Sequence, residues 1–134
     1  MKLHIKAIEA ADVPKMDVVG KSDPFLEFRM STSSQVWKTK HKNNTYTPVW
    51  NQQFELPVTS NGDDVLHVSL YDFDNISKND IISTRDFPIS SFIEDQITDE
   101  WYDFQAVKGV KRGGRVRLAF HLAQPGVPAF VDRS

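Results

Sequence analysis

Cysteine is absent from this 134-residue chain, so no disulfide framework, thiolate zinc site or thiol nucleophile contributes to it. That absence suits the cytoplasm, which is the compartment expected. Long apolar runs are missing too. No stretch approaches the roughly 18 residues of a membrane-spanning helix, and the opening MKLHIKAIEA lacks the apolar core of a signal peptide. Charge of one sign is not in excess either: 16 Lys and Arg against 18 Asp and Glu leave a net charge of −2. Such a balance exerts no global pull toward nucleic acid or lipid headgroups, and aromatics interleaved with bases on one face are lacking. Attraction to an anionic partner must then be local or supplied by a bound cation. A Gly-rich phosphate loop is also missing. His4, His67 and His121 fall on the outward phase of their strands and His41 sits among lysines, so no histidine joins a serine and a carboxylate in a catalytic motif. The chain is expected not to be an enzyme.

What is present is ordinary for one globular domain: 40% hydrophobic and 25% charged residues, enough to bury a core without staples. Alternation dominates. Leu3, Ile5 and Ala7 alternate with His4 and Lys6; Leu26, Phe28 and Met30 alternate with Glu27 and Arg29. Trp50, Phe54 and Leu56 share one phase of a third candidate, and Leu66, Val68 and Leu70 one phase of a fourth. Val116, Leu118, Phe120 and Leu122 repeat the pattern opposite Arg115, Arg117 and His121. Shorter candidates cover 36–40, 80–87 and 101–105. About eight short strands separated by turn residues indicate an all-β antiparallel sandwich. One helical turn is expected at 90–96. The domain is expected to end near residue 123, with the proline-bearing 124–134 as a tail or the start of a linker.

The informative feature is where the aspartates fall. Asp17 and Asp23 bracket DVVGKSD directly after the first strand, and Asp72, Asp74 and Asp80 lie in DFDNISKND directly after the strand carrying Leu66 to Leu70. Both segments are inter-strand loops, where function concentrates. Calcium takes about six to eight oxygen ligands, many of them carboxylate. If the two loops lie side by side at one end of a sandwich, all these carboxylates converge. Taken singly, Asp17, Asp23 or Asp80 reads as a turn aspartate bonding its own backbone; the set in two loops at these spacings does not. An EF-hand is excluded, because counting from Asp72 puts Ser77 where glycine is needed and Ser83 where glutamate is needed.

These motifs resemble those of C2 domains. Residues 16–25 (MDVVGKSDPF) are similar to the first calcium loop of that family, residues 71–80 (YDFDNISKND) to its third loop, and residues 47–54 (TPVWNQQF) to one of its strand entries. The resemblance spans nearly the whole chain and implies an eight-stranded C2-like sandwich. Because the first-loop strand begins at residue 3, it also implies the circularly permuted order known as type II, with the last strand at 115–122. The resemblance further implies that Asp17, Asp23, Asp72, Asp74 and Asp80 ligate calcium, joined by main-chain oxygens of Met16 and Phe73, with Asp17 and Asp72 bridging two or more ions. Two departures touch loop shape: Ile82 and Ser83 stand where a glycine is usual after the last loop aspartate, and Thr47 replaces asparagine before the proline.

Implied, then, is calcium-dependent binding to anionic phospholipids of the phosphatidylserine type, by a peripheral protein recruited to the membrane surface. Val18 and Val19 at the tip of the first loop and Ile76 at the tip of the third stand where polar turn residues are normal, and they are expected to enter the bilayer shallowly. Lys38 and Lys40, on one side of the basic strand VWKTKHK, match family positions that bind phosphoinositide headgroups; an ordinary solvated face is an equal reading of them. The alternative for the whole chain is a calcium-insensitive C2 module that binds a protein partner.

Overall fold

The computed structural model describes residues 1–16, 21–59, 62–76 and 78–131. Asp17, Val18 and Val19 therefore lie outside the described residues. Among the described residues the chain forms nine strands: β1 (Lys2–Ala11), β2 (Pro24–Met30), β3 (Val36–Lys38), β4 (Val49–Pro57), β5 (Val65–Asp72), β6 (Asp80–Pro88), β7 (Ile97–Asp103), β8 (Gln105–Ala106) and β9 (Arg115–Ala123). They build a four-stranded sheet, β4-β1-β9-β7, and a five-stranded sheet, β3-β2-β5-β6-β8. All pairings are antiparallel. The C-terminal strand β9 lies between β1 and β7, as the permuted order requires.

The alternating residues fill the space between the sheets. Leu3, Ile5 and Ala7 of β1, Leu26 and Phe28 of β2, Leu66, Val68 and Leu70 of β5, and Val116, Leu118 and Phe120 of β9 are fully buried in one apolar cluster. Period-two patterning predicts this, because successive side chains of a strand point to opposite faces.

Three local differences from the sequence reading have physical causes. The expected strand 101–105 is instead the end of β7 and the start of β8. Phe104, buried between them, carries the chain from one sheet to the other while its N–H donates to Gly114 O at 3.1 Å. β7 also begins earlier than expected, because on an edge strand Ile97, Asp99, Glu100 and Trp101 are exposed and leave no clean apolar phase. The helical turn expected at 90–96 shortens to a single 3-10 turn, Ile89–Ser91.

The histidines also differ. His67 faces solvent and pairs with Asp86 (Nδ1 to Oδ1, 2.7 Å). His4 and His121 do lie on the outer face of the four-stranded sheet, yet both are buried, because residues 124–131 fold back across that face.

Candidate functional site

The two aspartate-bearing loops emerge at one end of the five-stranded sheet, and the strand register brings Asp23, Asp72 and Asp80 to neighbouring strand ends. Asp72 ends β5 opposite Pro24 on β2 and opposite Asp80 on β6. Asp23, adjacent to Pro24, thus stands beside Asp72 and Asp80 at three neighbouring strand ends. Direct bonds stitch the loops: Asp23 N–H donates to Asp72 Oδ1 (2.8 Å), and Phe73 N–H donates to Asp23 O (2.9 Å). Asp72 is nearly buried, at 3% exposure. An anionic carboxylate in so enclosed a position is costly unless hydrogen bonds or opposite charge compensate it.

The third loop turns locally. Asp74 Oδ1 accepts the Ile76 N–H (2.9 Å), while Asp74 N–H donates to Asn79 Oδ1 (2.8 Å). That turn projects Ile76 outward, at 94% exposure. Asp80 is exposed, Asp74 and Met16 are half-buried, and Phe73 packs its ring edge-on against Phe25 (6.5 Å). Among the described residues, no three His, Asp or Glu side chains stand close enough together to hold a metal ion. Asp17, one of the carboxylates named from the sequence, lies outside that set.

Residues 41–45, between β3 and β4, brace both loops, and the sequence reading did not name them for this role. Asn44 N–H donates to Asp23 Oδ1 (2.5 Å), and Asn44 Oδ1 accepts the Lys21 N–H (2.7 Å). Thr45 N–H donates to Ser22 O (2.9 Å), while the buried Ser22 hydroxyl donates to Pro14 O (2.7 Å). Asn44 adopts φ +52°, a left-handed conformation that asparagine tolerates. The Asn43-Asn44 pair in a polar connection was the only available hint. The His41 ring stacks flat on Phe73 (centroids 3.9 Å apart, 2° between planes). No local pattern announces that contact.

Lys38 and Lys40 are exposed, as a headgroup contact requires, and Lys38 is the register partner of the buried Glu27. Glu27 Oε1 accepts a bond from Arg29 Nε (2.6 Å), so the neighbouring strand adds no net positive charge to the pair of lysines. A cleft of about 370 Å³ is lined by Lys38, Lys40 and Asn79 together with Phe25, His41 and Phe73. The strand β3 stops at Lys38, short of the 36–40 expected, and the lysine-bearing segment 38–40 adjoins the third loop. Beneath it, Tyr71 stacks on Phe25 (5.3 Å), and burial raises the pKa of its hydroxyl, with Glu27 adding to the effect. Among the described residues, no helix is long and apolar enough to cross a membrane.

Comparison with known proteins adds four relations. The family model for the C2 domain matches residues 1–104. Synaptotagmin-1 of Homo sapiens is 34% identical over 110 residues, which cover 80% of this chain and 26% of that protein. The chain thus spans about a quarter of the length of the curated relatives it matches. Among solved structures, a single C2 domain of plant Extended Synaptotagmin 1 superposes with a TM-score of 0.81 at 21% identity, covering 90% of this chain and 92% of that one. A calcium-bound structure of two C2 domains of Extended-Synaptotagmin 2 gives a TM-score of 0.76 at 25% identity, covering 90% of this chain and 44% of that one.

Proposed function

The chain belongs to the C2 domain family, and from that membership we propose that it binds calcium between its two aspartate loops and so docks on anionic phospholipid surfaces. The observation that carries this reading is the stitching of the loops at Asp23 and Asp72, which brings Asp23, Asp72 and Asp80 to adjacent strand ends. The calcium-bound relative of similar fold supports it. The ligands in this reading are the carboxylates of Asp17, Asp23, Asp72, Asp74 and Asp80 with the main-chain oxygens of Met16 and Phe73. All are hard oxygen donors, the kind calcium selects over zinc or copper.

The electrostatics follow from the donor set. Without a cation the carboxylates repel one another and an anionic bilayer. Bound calcium supplies the positive charge that reverses the local sign. Ile76 on one loop tip, with Val18 and Val19 on the other, then adds apolar contact, and Lys38 and Lys40 touch headgroups at about 1 kcal/mol each. The protein is accordingly a peripheral membrane binder. The alternative reading is a calcium-insensitive protein-binding module.

Sedimentation with phosphatidylserine vesicles separates the two readings. Co-sedimentation in millimolar calcium that is lost in chelator is the expected result. Equal sedimentation in both, or none in either, overturns the calcium reading.

A further inference from the structure

Away from the aspartate loops, near the start of β1, residues 124–131 lie across the outer face of the four-stranded sheet and are anchored at His121. His121 on β9 and His4 on β1 are register partners, their rings 5.9 Å apart. His121 is 1% exposed. Its Nδ1 accepts the Phe130 N–H (3.0 Å), and its Nε2 faces Asp95 Oδ1 (3.2 Å). The Phe130 ring leans on both imidazoles, at 6.0 and 6.5 Å, and Lys6 Nζ lies 4.8 Å from its centroid. Phe130 holds φ +58°, a left-handed conformation that a bulky side chain rarely adopts. The segment is therefore strained at the residue that anchors it. Between it and strands β1 and β4 lies a cleft of about 520 Å³, bordered by Lys2, His4, Phe54, Glu55 and Val127.

We propose that residues 124–131 form a proton-released strap: protonation of His121 at Nδ1 breaks its bond to the Phe130 N–H and lifts the strap, uncovering the His4–Phe54 cleft. The chemistry of imidazole carries the argument. An N–H donor needs a ring nitrogen with a free lone pair, so the closed strap requires His121 with Nδ1 bare and its proton on Nε2, toward Asp95. An imidazolium carries N–H groups on both nitrogens, which would set two donors against each other at 3.0 Å. Imidazole is the side chain that makes this change near neutral pH.

The groups facing this pair set the direction. Asp95, on the connection leading into β7, and His4 on β1 are the titratable groups that face His121, with Lys6 over the Phe130 ring; Ile97, the register partner of His121 on β7, is apolar. Burial lowers the pKa of His4 from its ordinary 6.5; Glu55 acts the other way, and His121 and Lys2 reinforce the lowering. A pKa lowered by cover means that the covered state binds protons less readily than the open one. Closure is then at full strength above pH 6.5 and is lost as pH falls through the lowered value. Protonation of His4 thus favours the open strap, in the same direction as loss of the His121–Phe130 bond.

Amide hydrogen exchange read by NMR at about pH 7.5 and about pH 5.5, corrected for the intrinsic pH dependence of exchange, tests the proposal. The expected result is about a tenfold or greater loss of protection at the Phe130 amide in acid, with Ile5 and Phe120 unchanged. His121→Asn sets a non-titrating oxygen where Nδ1 stood and should hold the strap at both pH values. Phe130→Ala should leave it open at both. No loss in the unaltered protein, or the same loss in His121→Asn, overturns the proposal. Should His121→Asn not fold, Phe130→Ala decides: protection of its residue-130 amide must be low and equal at both pH values, and a loss that still appears only in acid overturns the proposal.

Discussion

Asp72→Asn separates the fold from the metal chemistry proposed for it. The asparagine side chain would keep an Oδ1 to accept the Asp23 N–H, the 2.8 Å bond that stitches the two loops, so the frame of the site survives. What disappears is one negative charge at a position only 3% exposed. Without calcium the variant should melt no lower than the parent, because a buried like-charge interaction is relieved. With calcium the two diverge. Ligand at about 100 times Kd stabilises the native state by about 2.7 kcal/mol. Unfolding entropy of about 2.1 cal/mol/K per residue over 134 residues comes to about 0.28 kcal/mol/K. The parent should therefore gain about 10 °C in Tm. Loss of a bridging carboxylate, taken as about a 100-fold drop in affinity, leaves the same calcium near Kd and the gain near 1.5 °C. Differential scanning calorimetry in chelator and in millimolar calcium reads both numbers. A parent with no shift, or a variant shifting as far as the parent, refutes the reasoning. Magnesium should shift either protein much less, since it prefers tight octahedral geometry to a loose carboxylate cup.

Four further predictions concern other parts of the molecule. Replacing Val18 and Ile76 together by Ser should weaken calcium-dependent vesicle binding about tenfold or more, given about 1.5–3 kcal/mol per fully buried aliphatic side chain, and the loss should persist in high salt. Lys38→Ala with Lys40→Ala should instead give a loss that shrinks as the screening length falls from about 10 Å at 0.1 M to about 3 Å at 1 M salt; the opposite salt behaviours in flotation assays would invert these roles. Gly113→Ala places a Cβ 1.8 Å from the Phe104 carbonyl oxygen, so backbone must move, and denaturant unfolding should show a loss of about 3 kcal/mol; parental stability would contradict that close approach. The Arg117 guanidinium bonds to both Asp99 oxygens (2.9 and 2.8 Å) and holds that carboxyl below its ordinary 3.8. The resulting stabilisation is present above pH 3.8 and lost as pH falls through the lowered value. In Arg117→Met the Asp99 carboxyl carbon should titrate closer to 3.8 by NMR, and an unchanged midpoint would show that the pair is not the cause.

Alternation along single strands was enough to name the core. Leu66, Val68 and Leu70 share a phase in the sequence and are all fully buried, and so are Leu3, Ile5 and Ala7. The position of each aspartate directly after such a strand was equally legible, because a strand's end and the loop beyond it are local properties. The edge strand β7 was half lost, since Ile97, Asp99, Glu100 and Trp101 stay exposed and carry no apolar phase to read.

The sequence by itself determined the all-β class, the inward residues and the two aspartate loops, because period-two patterning and turn chemistry act over a few neighbouring residues. Only the tertiary structure decided the rest. Antiparallel register set Asp72 between Pro24 and Asp80, the 41–45 connection reached across to Asp23 and Phe73, and the 124–131 segment buried two histidines that alternation assigns to the outer face. Each is fixed by how strands pair and how connections fold back across the sheets, and the alternation along a single strand does not encode it.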